Sequence, residues 1–222
     1  MNIHDLQYIT EELATKMCNG EFLMPSLRSV ETLHRELLEA IAVDIEEGST
    51  FSEALGRFPQ HFDPFYIAMI RAGEAGGVLD IALERVAKYL KTQAALNKIN
   101  EFRRIAIWAE TFGTLLASGV PILQAIKLVG SCIQELKFID LDCTSKLVIL
   151  TRVMEFVIRD GGLPSRAFEG VPDALPEKFM RIIEEEESEG GFPDALIKIA
   201  EQARAEIQEA ILSIAKKDST QQ

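Results

Sequence analysis

Cysteine is scarce in this sequence: Cys18, Cys132 and Cys143 lie far apart with no Cys-x-x-Cys pair, which excludes a disulfide framework and a thiolate zinc site and fits a reducing compartment. Histidine is as scarce. His4, His34 and His61 stand beside no plausible nucleophile, so a Ser/His/Asp or Cys/His constellation has nothing to be built from. A basic face is also missing. The net charge of −12 is spread evenly, with 9 basic and 15 acidic side chains in residues 1–99 and 14 and 20 in the rest, so there is no electrostatic footprint for nucleic acid or anionic lipid. The longest uncharged run, Thr111 to Ile126, contains Gly113, Gly119 and Pro121 and falls short of the roughly 18–20 apolar residues a bilayer needs. The start, MNIHDLQYITEEL, has no basic region followed by an apolar stretch, which predicts no signal peptide and a soluble, cytoplasmic chain. No segment alternates with a period of two, so no sheet is expected.

What is present is helical patterning around glycine-rich turns. With 47% hydrophobic and 26% charged residues the composition is that of a folded globular protein. Leu6, Ile9, Leu13 and Met17 predict a helix ending near Asn19-Gly20, and Pro25-Ser26 opens an expected single long helix over Leu27, Val30, Leu33, Leu37, Ile41 and Ile45 that stops at Gly48. Thr50 or Ser49 caps a short helix ended by Phe58-Pro59, and Asp63-Pro64 starts the next. That helix, carrying Phe65, Met69 and Ile70, meets a following one, carrying Leu79, Leu83, Val86 and Leu90, at the turn Gly73-Glu74-Ala75-Gly76-Gly77. Gly73, Gly76 and Gly77 are read as turn glycines able to take positive φ, and Glu74 as a carboxylate facing the N-terminus of the second helix. No Pro or Gly interrupts Val78–Phe112, so that helix is expected to run well past Leu90, with a bend near Asn97–Asn100. Later helices are expected over Thr144–Arg159, Pro164–Phe168, Pro176–Glu187 and Phe192–Ala215.

The second half repeats the first. A shift of 113 places Gly48 on Gly161, Ala54 on Ala167, Phe62 on Leu175, Tyr66 on Phe179, Ile70 on Ile183, Glu74 on Glu187, Gly77 on Gly190 and Ala87 on Ala200, while earlier residues match at 99, with Asn19-Gly20 on Ser118-Gly119. The second copy therefore carries about fourteen extra residues around Cys132–Ser145. The reading is all-α: two tandem antiparallel helical bundles of five to six helices each, over residues 1–100 and 101–222. Phe51, Leu55, Phe58, Phe62, Phe65 and Tyr66 are assigned to the first core; Trp108, Phe112, Phe156, Phe168 and Phe179 are assigned to the second.

The string Met69-Ile70-x-Ala72-Gly73-Glu74-x-Gly76-x-x-Leu79, with the lead-in Phe58-Pro59-x-x-Phe62-x-Pro64, resembles the signature of the cytoplasmic domain of the inner-membrane platform protein of type II secretion systems and type IV pili. The resemblance recurs in the second copy, where Leu115–Pro121 is similar to the family's opening helix and turn, but there Glu186 replaces Gly73 and Glu189 replaces Gly76, leaving Glu187 and Gly190 of the central motif. Platform proteins of this kind separate two such domains by membrane-spanning helices. Here the joint near Leu90–Arg104 holds Lys91, Lys98, Glu101, Arg103 and Arg104, so the chain resembles the two cytoplasmic domains joined directly. The resemblance implies a non-catalytic scaffold that contacts secretion or pilus assembly proteins, among them the cytoplasmic motor ATPase. It also implies self-association, as a homodimer or as an intramolecular pseudo-dimer.

Three motifs carry residue types suited to chemistry. Glu31-x-x-His34 is half of a di-iron ligand set with no second half, and reads as a solvated histidine on a charged face. The run Glu184–Glu189 is dense enough in carboxylates to attract a divalent cation but lacks the spacing of a calcium loop. The glycine-rich turn follows a helix rather than a strand and has no Lys-Ser or Lys-Thr after it, unlike a phosphate loop. The expectation is therefore no catalytic residue, no metal and no cofactor, with Arg71, Glu74, Asp80 and Glu187 as partner-binding candidates and Gly73, Gly76, Gly77 and Gly190 as structural turn residues. Rims that only cap helices would look the same. If Glu74 serves a partner, Glu74→Lys weakens binding and leaves melting nearly unchanged. A soluble regulatory decoy of the same machinery and a carboxylate metal-binding helical protein are the alternatives.

Overall fold

The computed structural model describes the backbone of residues 1–135, 141–187 and 191–218 and the side chains of 1–132, 146–186 and 191–215. Among the described residues there are eleven α-helices and no strand: α1 (Ile3–Cys18), α2 (Leu23–Ser29), α3 (Arg35–Glu46), α4 (Phe51–Gly56), α5 (Pro64–Gly76), α6 (Leu79–Ala117), α7 (Ile122–Glu135), α8 (Leu141–Arg159), α9 (Arg166–Glu169), α10 (Glu177–Glu187) and α11 (Phe192–Asp218). The chain divides into two compact units, Met1–Ala94 and Ala95–Gln222, with the dividing point inside α6.

In the first unit each helix boundary has a local cause. Asn2 accepts the Asp5 N–H at 2.8 Å to start α1, and Asp63 accepts the Tyr66 N–H at 2.7 Å to start α5, with Pro64 in the first turn where its missing N–H costs nothing. Thr50 and Glu53 form a reciprocal capping box on α4. Ile9, Leu13, Leu27, Ile41, Phe51, Leu55, Tyr66, Ile70 and Leu83 fill the core at 2% exposure or less. One polar contact crosses it. The Thr10 hydroxyl donates to the Leu6 carbonyl at 2.7 Å and meets the Tyr66 hydroxyl at 3.1 Å, so both buried oxygens are satisfied.

The second unit is built around Trp108, Phe112 and Phe179, all buried. Trp108 Nε1 donates to the Thr151 hydroxyl at 3.2 Å, which in turn donates to the Leu147 carbonyl at 2.6 Å. Gly113 lies against Leu196 and Ile197 so closely that an added Cβ would sit 3.1–3.2 Å from them.

Helix ends fall where the repeat places them. α1 and α6 end at Cys18 and Ala117, and α2 and α7 begin at Leu23 and Ile122, each pair 99 residues apart. α3 and α8 end at Glu46 and Arg159, α5 and α10 begin at Pro64 and Glu177, and α6 and α11 begin at Leu79 and Phe192, each pair 113 apart. The offset changes between α2 and α3, and the added residues lengthen the helices on either side of the connection: α7 has 14 residues against 7 in α2, and α8 has 19 against 12 in α3.

Three expectations need correction. The single helix expected from Pro25 to Gly48 is two, because the chain leaves the helical conformation at Val30 (ψ 122°) and resumes at Arg35. The Thr32 hydroxyl accepts the His34 N–H at 3.2 Å, giving the backbone a partner outside the helix, and Leu33, placed in the apolar stripe by spacing, is 98% exposed. Phe65 and Phe156 are not core residues: Phe65 is 48% and Phe156 73% exposed. Their helices already bury a full face through neighbours one turn away, and spacing cannot tell the edge of a stripe from its centre. His34 is not a solvated histidine on a helix beside Glu31 either. It precedes α3, half-buried, with Nε2 2.8 Å from Asp5 Oδ2 of α1.

Candidate functional site

The turn between α5 and α6 is closed by the backbone. Gly77 is left-handed at φ +67°, its N–H reaches the Glu74 carbonyl at 3.2 Å, and the Val78 N–H reaches the Gly73 carbonyl at 2.9 Å. Of the three turn glycines, Gly77 alone has positive φ. Gly76 is the last residue of α5, and Gly73 lies inside that helix, buried. What Gly73 supplies is space: a Cβ there would stand 2.4 Å from the Ala82 Cβ and 3.3 Å from Leu79 Cα, so its absence lets α5 and α6 cross in near-contact.

Glu74 faces a different helix from the one the sequence implied. Its two carboxylate oxygens accept the backbone N–H groups of Phe51 at 2.6 Å and Ser52 at 3.1 Å, at the start of α4 rather than of α6. The next N–H, of Glu53, goes to the Thr50 hydroxyl at 3.2 Å, and that of Ala54 to the Thr50 carbonyl at 3.0 Å. The Ala54 bond is the first within the helix, and the four N–H groups before it, of Thr50, Phe51, Ser52 and Glu53, are all satisfied by side chains. The Glu53 carboxylate accepts the Thr50 N–H at 3.0 Å, and this bond holds its pKa below the usual carboxylate value.

Arg71 lies exposed beside this junction, lining a hollow of about 370 Å³ with Thr50, Ser52, Glu53, Glu74 and Ala75. Asp80 is half-buried in the first turn of α6. The structure therefore brings Arg71 and Glu74 together with the start of α4. In the second unit Glu187 is the final residue of α10, its side chain lies outside the described residues, and so does Gly190. Glu186, at the position equivalent to Gly73, pairs with Lys198 of α11. The register also sets Phe51 against Pro164, which has no N–H, so the two-donor arrangement around Glu74 has no full counterpart there.

Sequence reasoning missed Phe51 and Ser52 as the partners of Glu74. They are backbone donors 22–23 residues away, and no side-chain pattern marks them. The capping box was legible as Thr50-x-x-Glu53. Among the described residues no three His, Cys, Asp or Glu side chains gather as a metal site would require, and no helix is long and apolar enough to cross a membrane.

An all-helical chain whose helix boundaries recur in its two halves is the class of protein these observations define. A family model described as type II secretion system (T2SS), protein F, matches residues 26–105 and again 108–216, and the chain belongs to that family. It is 36% identical over 103 residues to the type IV pilus assembly protein TapC of Aeromonas hydrophila, covering 44% of this chain and 25% of that protein. It is 33% identical over 141 residues to the type II secretion system protein F of Vibrio cholerae, covering 59% and 34%. With the type IV pilus assembly protein PilC of Thermus thermophilus it shares 32% identity over 158 residues, covering 68% and 37%. The chain thus matches between a quarter and 37% of the length of these relatives.

Proposed function

We propose that this chain is a non-catalytic interaction module of a type II secretion or type IV pilus assembly, working on the cytoplasmic side and contacting other assembly proteins, the motor ATPase among them. The observation that carries the reading is the double match to the protein F family, once in each half. The α5–α6 turn supports it: Glu74 ties α5 to the start of α4, which makes the rim a rigid platform from which Arg71 and Asp80 are offered. By register Glu187 is the corresponding residue of the second half. Two related halves in one chain let a second contact follow the first at high effective concentration, whether the second surface belongs to the same partner or to another copy of the chain.

The test is co-purification of the full chain with the secretion or pilus motor ATPase of its own host, comparing wild type with Arg71→Glu and Asp80→Lys. Retention of the ATPase by wild type and its loss from the variants, with helical content unchanged, is the expected result. Retention of the chain alone, in the presence of the ATPase, would overturn the proposal.

A further inference from the structure

The seam between α7 and α8 lacks the ion pairs that join the corresponding helices of the first unit. There Arg28 of α2 reaches Glu39 and Glu46 of α3, at 3.2 and 2.9 Å. By the 99- and 113-residue registers these three positions are Lys127, Arg152 and Arg159 in the second unit, so two arginines stand where Arg28 has its acids. Burial follows the same registers: Leu27 and Ile126, Val30 and Val129, Leu38 and Thr151, and Ile41 and Met154 are all buried. Arg159 has another partner on its own helix, Glu155, at 2.7 Å. Lys127 and Arg152 make no hydrogen bond or ion pair among the described residues.

Lys127 and Arg152 instead line a hollow of about 240 Å³, together with Gly130, Ser131, Val148 and Glu155. Gly130 stands where the first unit has Glu31, and a Cβ built on it would meet nothing nearer than Thr151 Cγ2, at 3.8 Å. Close packing does not require glycine there; the missing side chain leaves the wall of the hollow open. The Ser131 hydroxyl donates to the Lys127 carbonyl at 2.9 Å and, being exposed, is free to turn toward a ligand. Glu155 is the one carboxylate among the described residues that line the hollow, and Arg159 answers its charge. The hollow therefore keeps two cations without acids of their own, in a chain of net charge −12.

We infer that this hollow binds the phosphate group of a small soluble ligand. Like charges held across a seam repel, and a dianion between them supplies what Glu39 and Glu46 supply to Arg28, a negative centre shared by two helices. A single carboxylate would leave one of the two cations unanswered. Phosphate also suits the donors: the Arg152 guanidinium offers parallel N–H groups to two oxygens, Lys127 a compact charge and Ser131 a hydroxyl. The acidity of the rest of the chain disfavours an anionic bilayer as the source of that phosphate. The inference goes beyond the docking role proposed above and does not depend on it.

The test titrates the full chain with inorganic pyrophosphate, and with acetate as a monoanion control, by isothermal calorimetry at an ionic strength held constant with sodium chloride. One pyrophosphate per chain is expected, with a dissociation constant of about 1 mM or below. Arg152→Glu and Lys127→Glu should each weaken it at least about tenfold, while Lys91→Gln in the first unit leaves it unchanged. Arg152→Glu also gives Lys127 the kind of partner Arg28 has, so without ligand its melting temperature should equal or exceed that of wild type. This separates a lost site from a lost fold, and a drop in melting temperature would contradict the pairing across the seam. Absence of saturable binding, acetate binding as tight as pyrophosphate, or an affinity unmoved by Arg152→Glu would overturn the inference. So would sedimentation with phosphatidylglycerol vesicles, lost in Arg152→Glu, from a chain that ignores pyrophosphate, because the phosphate would then be that of a lipid headgroup.

Discussion

The carboxylate of Glu74 accepts the backbone N–H of Phe51 at 2.6 Å, joining the end of α5 to the start of α4 across 23 residues of sequence. A charged acceptor on two open helix N–H groups does more than an acid beside a helix dipole, because removing it leaves both donors without the partner the fold provides. Glu74→Ala is expected to lower stability by about 1–3 kcal/mol, and Glu74→Lys by more, since it sets a cation against the positive end of α4. Urea unfolding monitored by circular dichroism measures both. This changes the expectation drawn from sequence alone, in which Glu74→Lys left melting nearly untouched, and a loss below about 0.5 kcal/mol would restore it.

The two kinds of glycine in the turn separate by substitution. Gly73→Ala would force a Cβ to 2.4 Å from the Ala82 Cβ, so α5 and α6 must part, at an expected cost of about 1–3 kcal/mol despite the better helix propensity of alanine. Adding Ala82→Gly should recover part of that loss. Gly77→Ala is expected to cost about 1–2 kcal/mol for a different reason, the left-handed backbone at φ +67°, and Ala82→Gly should not recover it. The four chemical denaturation curves decide between close approach and backbone strain.

Burial pushes the Tyr66 hydroxyl up to about 12, while its bond to Thr10 opposes the shift. For an acid whose folded pKa lies above its unfolded value, stability is full below the unfolded value and declines as pH rises from it toward the folded one. Between pH 10 and 12 the unfolded chain ionises this tyrosine and the native chain does not, so wild type should lose up to roughly 2–3 kcal/mol from this group. Tyr66→Phe should start less stable at pH 8, having lost the Thr10 contact, and decline less steeply above pH 10. Parallel denaturation curves for the two proteins across that range would refute the assignment.

At the acid end, the His34 hydrogen bond holds the Asp5 carboxyl below its ordinary value of 3.8, and the Thr50 N–H does the same for Glu53. A depressed carboxyl contributes stability that is present above the unfolded pKa and is lost as pH falls through the folded one. The stability gap between wild type and Asp5→Asn should therefore be present at pH 5.5 and narrow steadily below pH 4. Urea titrations at a series of pH values test this, and a gap that widened on acidification would contradict the Asp5–His34 pairing.

The helix starts at Pro64 and Leu79 and their repeats at Glu177 and Phe192 were legible in the chain, because the signals that set them are local: a capping residue, a proline in the first turn and a glycine pair. The repeat itself was legible for the same reason, since 113 and 99 are spacings of such signals. The break between α2 and α3 was not. Val30, Leu33, Leu37 and Ile41 keep helical spacing across it, and only a folded core shows that Val30 is buried while Leu33 faces solvent. Phe65 read as core for the same reason, periodicity measuring spacing along one helix and not the depth of its neighbours.

What the sequence determined by itself is the all-helical class, the two copies and the helix starts at Pro64, Leu79, Glu177 and Phe192, all set by interactions among residues a few positions apart. The tertiary structure alone decided that Glu74 closes α4 rather than α6 and that Gly73 is needed for its lack of a side chain. These depend on which helix surfaces meet after the chain has folded, and backbone donors that accept any residue type leave no mark in the order of side chains.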